Sequence, residues 1–277
     1  MRLTTKIIIG IILSIFSIAL LFIVCFSFTG RKNRNHSNVK IIHLPQENQT
    51  GIELPPFRTV IIDEEPYESE EPHITSGDNG SLYIHSIPEK NSPAMLFIPE
   101  SLKDCVSTGM TGDTLNIKLK LLDLHNKHKS DEYKHHAVFG INLHFIPSEI
   151  DIINKLRNLS IQIKNIETDT VKVNSYGDVS IDSCNADVIT PVIRTGYKKL
   201  TVKNCRAKKI NLDLDSNSHW NIENCNIEEE NLTGSRNHDM IRHRNESGKI
   251  NWLPKNREAK LNITVQGDTT QISFNNP

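Results

Sequence analysis

The stretch LTVKNCRAKKINLDL, Leu200–Leu214, decides how this chain is read. Leu200 and Val202 flank a polar Thr201, and the pair Lys203-Asn204 then leads to Cys205. One repeat upstream, Val179, Ile181 and Cys184 hold the same offsets, and Ile189 matches Ile210 further along. One repeat earlier still stand Ile161, Ile163, Ile166 and Val171. Downstream, Trp220, Ile222 and Cys225 form a fourth copy, in which Glu230 takes the later aliphatic position. The copies lie 18 to 21 residues apart, a spacing that suits one turn of a stacked repeat.

A strand with two or three aliphatic residues on alternate positions cannot bury its apolar face alone. If equivalent strands lie side by side, those residues form interior columns, and the backbones pair at a spacing of about 4.8 Å. Polar residues between the aliphatics then face solvent. Asn204 and Asn224 fall at corners, where asparagine tolerates left-handed backbone angles. The expected fold is therefore all-β, a right-handed parallel β-helix (β-solenoid). Ile166, Cys184, Cys205 and Cys225 are expected to form a structural ladder in its core. Cysteine is small and readily buried, and an isoleucine in the same slot does not fit a ligand role. Two alternatives are weaker on physical grounds. A disulfide between stacked positions would join side chains that point the same way, which suits bridge geometry poorly. A zinc site wants a close cysteine pair, and the sequence has none. Cys105 lies outside the repeat and receives no role.

Upstream of the repeat, FRTVIID (57–63), SLYIHSI (81–87), MLFIP (95–99), LNIKLKLLDL (115–124) and VFGINLHFIP (138–147) read as strands by their alternation. SEIDIINKLRN, from Ser148, reads as one or two helical turns. The run IIIGIILSIFSIALLFIVCFSF, Ile7–Phe28, carries no charge. As a helix it would be roughly 33 Å long, enough to cross a bilayer. Phe22, Ile23 and Val24 precede Cys25 where a lipoprotein signal would want small residues, and no small-residue cleavage site is evident. The expected organisation is thus a single N-terminal transmembrane helix acting as membrane anchor over 1–30, a polar linker over 31–56, and a β-solenoid over 57–277 with polar insertions near 125–136 and 234–248. Basic residues flank the apolar run on both sides (Arg2 and Lys6; Arg31, Lys32 and Arg34), so the positive-inside rule is nearly balanced. The bulk of the chain is placed outside the cytoplasm, because a first hydrophobic segment commonly acts as an export signal.

The formal net charge of −1 carries no basic excess, which argues against a nucleic-acid partner. Glycoside chemistry wants two carboxylates across one groove. Asp178, Asp182, Asp187, Asp213 and Asp215 occupy outward positions on different repeats and give no distinctive pair. Arg194, Lys198, Lys199 and Lys203 form a basic outer patch that reads as ordinary surface. His125, His128, His135 and His136, with Asp123, Asp131 and Glu132, offer metal-binding chemistry but lie in a long polar insertion whose ordering would cost entropy. His238 and His243 lie in the second insertion. The acidic run Glu64–Glu71 contains Pro66 and fits a plain loop. Tyr176, Tyr197 and Trp220 come from neighbouring repeats and read as core or corner residues. No catalytic residue, metal site or cofactor is expected, and the ligand-binding residues are unknown.

The order FRTVIID, an acidic loop, SGDNGSLYI, LFIPESLKDCVSTGM, GDTLNIKLKL and successive repeats with VNSYGDVSI resembles the bacterial head-GIN-domain family. The resemblance spans about Glu53 to Phe274. It implies a right-handed parallel β-helix attached to or exported across a membrane, in autotransporter-adhesin-like proteins of the bacterial envelope, and it brings no catalytic residue. Where that family carries Ser-Gly corners, this chain has Asn-Cys corners. The function expected is a membrane-anchored, extracytoplasmic, non-catalytic binding or adhesin-like envelope protein whose partner is a membrane and an envelope glycan or protein. The alternatives are a carbohydrate-active β-helix and a structural or regulatory envelope scaffold.

Overall fold

The computed structural model describes residues 39–44, 48–65, 79–87, 92–120, 123, 134–145, 148–242, 247–265 and 271–274. The chain divides into two compact units. The first, Met1–Lys40 with Asp131–Lys134, contributes only Val39, Lys40 and Lys134 to the described residues. The second, Ile41–Ser130 with His135–Pro277, carries the architecture below. The segment 1–30, expected as an anchor, and most of the histidine-bearing insertion lie outside the described residues. Among the described residues no helix is long and apolar enough to cross a membrane.

Among the described residues the fold is nearly all β, with a short 3-10 helix at Glu100–Cys105. Two long sheets take most of the strands. In the first, β16 (His219–Glu223), β14 (Lys199–Lys203), β12 (Val179–Asp182), β10 (Leu159–Lys164), β4 (Asn79–Ser86), β8 (Lys134–Phe145), β5 (Ala94–Pro99) and β2 (Gln49–Leu54) lie in that order. Pairing is parallel from β16 to β8 and antiparallel from β8 to β2. In the second lie β19 (Ser247–Pro254), β17 (Asn226–Gly234), β15 (Arg206–Asp213), β13 (Asn185–Ile193), β11 (Glu167–Ser175), β9 (Glu149–Asn154), β3 (Thr59–Glu64), β7 (Thr114–Leu119) and β6 (Val106–Thr111). Here only β6 runs antiparallel to its neighbour. A small third sheet joins β18 (His238–Arg242), β20 (Leu261–Val265) and β21 (Gln271–Phe274).

From β10 to β17 successive strands alternate between the two long sheets, and within each sheet strands one repeat apart pair. Ile163 stands beside Ile181, Ile181 beside Val202, and Val202 beside Ile222. In the second sheet Val171, Ile189, Ile210 and Glu230 form one row. Aliphatic residues at equivalent offsets therefore meet side by side, and Ile163, Ile181, Val202, Val171, Ile189 and Ile210 are all fully buried. Glu230 is also fully buried, and Ser247 donates a 2.6 Å hydrogen bond to its carboxylate.

Between the two strands of each repeat the chain turns through a left-handed residue. Asn165, Ser183, Asn204 and Asn224 have φ of 54°, 55°, 53° and 52°. Each directly precedes Ile166, Cys184, Cys205 or Cys225, so the sharp bend swings that next side chain inward. The corner backbone pairs from repeat to repeat as the strands do: Asn204 N–H donates to Glu223 O at 3.0 Å, and Arg206 N–H to Cys184 O at 2.9 Å. A second set of corners is satisfied by buried side chains. Asn154 donates to Leu159 O at 2.8 Å and to Ser175 Oγ at 2.9 Å, while accepting from Leu156 N–H at 3.0 Å. Beside it a Cβ at Gly177 would lie 1.8 Å from Leu159 O, so only glycine fits. Asn217 does similar work one corner on, accepting from Ile193 N–H at 3.0 Å and donating to Pro191 O at 3.1 Å.

Three expectations change. The segment after Ser148 is strand β9, because Ile150, Ile152 and Asn154 face inward at a period of two and β3 and β11 pair with it on either side. The stretch read as a linker carries β1 (Val39–His43) and β2, which pairs antiparallel with β5. The insertion near 234–248 contains β18, which pairs parallel with β20.

The corner geometry gives a direct test. Asn204→Ala removes the short polar side chain that eases a left-handed position and costs up to about 1–2 kcal/mol there, whereas Asn204→Gly relieves the Cβ strain, loses the exposed 2.9 Å contact to Asp182 and stays close to wild type. Val202→Ala, in the fully buried row, lowers stability by about 1–3 kcal/mol. Denaturant midpoints of the three variants check the order.

Candidate binding face

Outward positions of the repeat strands are mostly polar or charged, as solvent-facing positions of a sheet should be, with Val188, Val192 and Leu253 as exceptions. The outer face of the first sheet departs from this over β2, β5, β8, β4 and β10. Strand register places two rows of side chains across it. One row runs Gly51, Phe97, Asn142, Tyr83 and Gln162. The other, two residues along each strand, runs Glu53, Met95, His144, His85 and Lys164. Inward neighbours on the same strands (Leu82, Ile84, Leu96, Ile98, Leu143) are buried, while Tyr83, His85, Met95, Phe97 and His144 are half-buried. The aromatic residues thus sit on the outward phase, not in the core.

The rings touch. His85 and His144 have ring centres 5.0 Å apart at 58°, and Phe97 meets His144 edge-on at 4.9 Å. Tyr83 lies nearly parallel to His85 at 6.4 Å. Gly51 makes room for this packing, since a Cβ there would come within 3.1 Å of Met95 and 3.2 Å of Phe97. At the ends of β2 and β5 the face adjoins a cleft of about 620 Å³ lined by Pro55, Pro56, Phe57, Pro93 and Phe145. Phe57 and Phe145 pack there with ring centres 5.0 Å apart. Burial lowers the pKa of His85 below its ordinary 6.5, partly offset by a hydrogen bond with Asn142, and nearby Lys164 lowers it further. Burial, and then His85 itself, lower that of His144.

The residues singled out from the sequence lie elsewhere. Ile166, Cys184, Cys205 and Cys225 are buried in the apolar core, and Cys205 N–H approaches Cys225 Sγ at 3.5 Å. Cys184, Cys205, Cys225 and Cys105 are free thiols. The Cys205 thiol is pushed up to about 12, chiefly by its contact with the Cys184 sulfur. The outward aspartates are engaged in ion pairs or hydrogen bonds: Asp178 with Lys198, Asp187 with Lys208, and Asp182 with Asn204. Asp213 and Asp215 meet at one lysine, Lys255, at 2.6 and 3.0 Å. Asp215 also accepts from Ser235 N–H and lies 3.3 Å from His238; burial pushes its carboxyl up, but Ser235 and Lys255 outweigh that and hold it well below the usual range. Arg194 donates to Asn174, and Lys203 pairs with Glu223. Tyr176 and Tyr197 are exposed near corners, and Trp220 packs against the core. Among the described residues no group of three or more His, Cys, Asp or Glu is placed to hold a metal ion.

Inward residues dominate each strand's pattern, and the aromatic face lies on the opposite phase. The signal was present in SLYIHSI, NLHF and MLFIP, whose large rings alternate out of phase with the aliphatics.

No known protein family and no characterised protein sequence matches the chain. Solved structures that resemble it include a "putative adhesin" from Parabacteroides merdae, with 8% identity and a TM-score of 0.35, covering 82% of this chain and 99% of that one. A second "putative adhesin", from Parabacteroides distasonis, has 9% identity and a TM-score of 0.31, covering 82% and 98%. A "putative lipid binding protein" from the same species has 14% identity and a TM-score of 0.22, covering 83% and 98%.

The two histidines set a pH response. Their lowered folded values mean that the unfolded chain takes up protons first as pH falls below 6.5. The stability they permit is complete above that value and drains away as pH falls through the folded values. Unfolding midpoints compared at about pH 7.5 and about pH 5 should drop less in H85Q/H144Q than in wild type; an equal drop would show that the pair does not titrate as described.

Proposed function

We propose that this is a membrane-anchored, extracytoplasmic β-solenoid that binds an envelope glycan or protein without catalysis, through the outer face of its first sheet. The observation that carries the reading is the outward aromatic grid of Tyr83, Phe97, His85 and His144, flanked by Asn142 and Gln162. Half-buried rings beside amides offer stacking surface together with hydrogen-bond donors and acceptors, the combination that polar polymers with apolar faces require. On this reading the two parallel ladders are successive windings of one right-handed β-helix. The one-repeat register supports the winding, and the near-universal right-handedness of parallel crossovers supports its sense. The solenoid domain takes in β2, and the domain boundary falls before it. Anchoring rests on the uncharged run Ile7–Phe28, and placement in a bacterial envelope agrees with the resemblance of the strand order to the head-GIN-domain family.

Binding of the full-length protein to arrays of envelope polysaccharides and matrix proteins tests this. Y83A/F97A should lose at least about tenfold in affinity for whichever polymer wild type retains, while remaining folded with a lowered unfolding midpoint. Retained affinity in Y83A/F97A, alongside loss from a substitution on the outer face of the second sheet such as Asn231→Ala, would reassign the binding face. Protease cleavage of the folded domain in intact cells should occur from outside.

A further inference from the structure

His85 and His144 are direct partners in the parallel register of β4 and β8, and both point outward. Their ring centres are 5.0 Å apart. Two imidazoles bound to one ion through nitrogens at about 2.0–2.1 Å, in adjacent coordination positions, also place their ring centres about 5 Å apart. The spacing that the sheet imposes is therefore the spacing a shared cation needs. We propose that His85 and His144 form a two-ligand site for a borderline divalent cation, copper(II) most strongly and nickel(II) or zinc(II) less so, with water completing the coordination.

The surroundings resemble those of a prepared ligand pair. Asn142 stands beside Tyr83 in the adjoining row, two residues from His144 on β8, and a side-chain acceptor on one imidazole nitrogen would orient a ring and leave its other nitrogen free to coordinate. Phe97 braces His144 edge-on, and Met95, its cross-strand neighbour on β5, covers the same row. Both histidines are half-buried, so a hydrated ion reaches them from solvent. The groups facing the pair are Asn142 on β8, Tyr83 on β4, Met95 and Phe97 on β5, and Lys164 on β10. Glu53 on β2 ends the row beyond Met95. Lys164 is the cation nearest His85 and opposes binding. That repulsion acts on any cation, whereas imidazole nitrogen is a good donor for copper, nickel and zinc and a poor one for magnesium and calcium. The site therefore selects by ligand chemistry. It does not depend on which polymer the face binds, since the two histidines alone define it.

The test uses the full chain with H125Q, H128Q, H135Q and H136Q, so that the insertion's imidazoles do not compete. Titration with copper(II) at neutral pH, followed by calorimetry and electron paramagnetic resonance, should show binding with coupling to two imidazole nitrogens. H85Q and H144Q should each weaken it at least about tenfold and reduce the coupling to one nitrogen, and calcium should not compete. Undiminished affinity and two-nitrogen coupling in H85Q/H144Q would overturn the assignment. Should that variant fail to fold, substoichiometric copper(II) added to the parent chain gives the same decision: the His85 and His144 ring signals broaden first if the site is real, and signals elsewhere broaden first if it is not.

Discussion

Backbone hydrogen bonds between residues one repeat apart hold this molecule together. From β10 to β17, and on to β19 in the second sheet, strands one repeat apart pair in parallel at 18 to 21 residues' distance in sequence. Parallel pairing at so constant an offset requires every repeat to turn at the same places. The left-handed residues at 165, 183, 204 and 224 provide one of those turns, within a few degrees of one another. The corners fix the phase of the strands that follow, the phase decides which side chains face in, and the inward residues make the core. A chain with only 37% apolar residues can fold this way because nearly every aliphatic residue in the repeat lies on the inward phase.

The same regularity makes the outer aromatic face informative. A sheet that buries one side has no packing need for large rings on the other. Tyr83, Phe97, His85 and His144 nonetheless share the outer side of adjoining strands, and they depend on Gly51 for room. They gather where β5, lying between β8 and β2, runs antiparallel to both neighbours, away from the repeats with aspartate, lysine and asparagine outside. The fold therefore separates its labour along the sheet: the C-terminal repeats carry paired charges, and the N-terminal strands carry the surface suited to contact.

How much of this could be read beforehand varied with how local the signal was. The four-fold recurrence of the Leu200–Cys205 pattern made the strands, their inward residues and the asparagine corners legible, because repetition multiplies a weak alternation into a strong one. Strand β9 is ambiguous in sequence because Ile150, Ile152 and Ile153 are equally compatible with a helical turn, and only pairing with β3 and β11 decides between them. Strands β2 and β18 carry little signal in sequence because they alternate poorly and their stability comes from partners β5 and β20. The aromatic grid needed something no single strand contains: the register that brings His85 of β4 beside His144 of β8, 59 residues on in the sequence. The corner asparagines Asn154 and Asn217 were likewise silent, since a buried amide and an exposed one look the same in a sequence.

Glu230 interrupts the row of Val171, Ile189 and Ile210 with a fully buried carboxyl, met by the Ser247 hydroxyl from the adjoining strand. Copies so alike face a hazard that varied sequences do not: β17 could mate with the wrong neighbour and still present aliphatics to aliphatics. Such a slip would part Glu230 from Ser247 and strand an acid in hydrocarbon, at a cost of about 1–3 kcal/mol or more. The one imperfect repeat thereby acts as an index mark, letting an otherwise self-similar chain count its own layers.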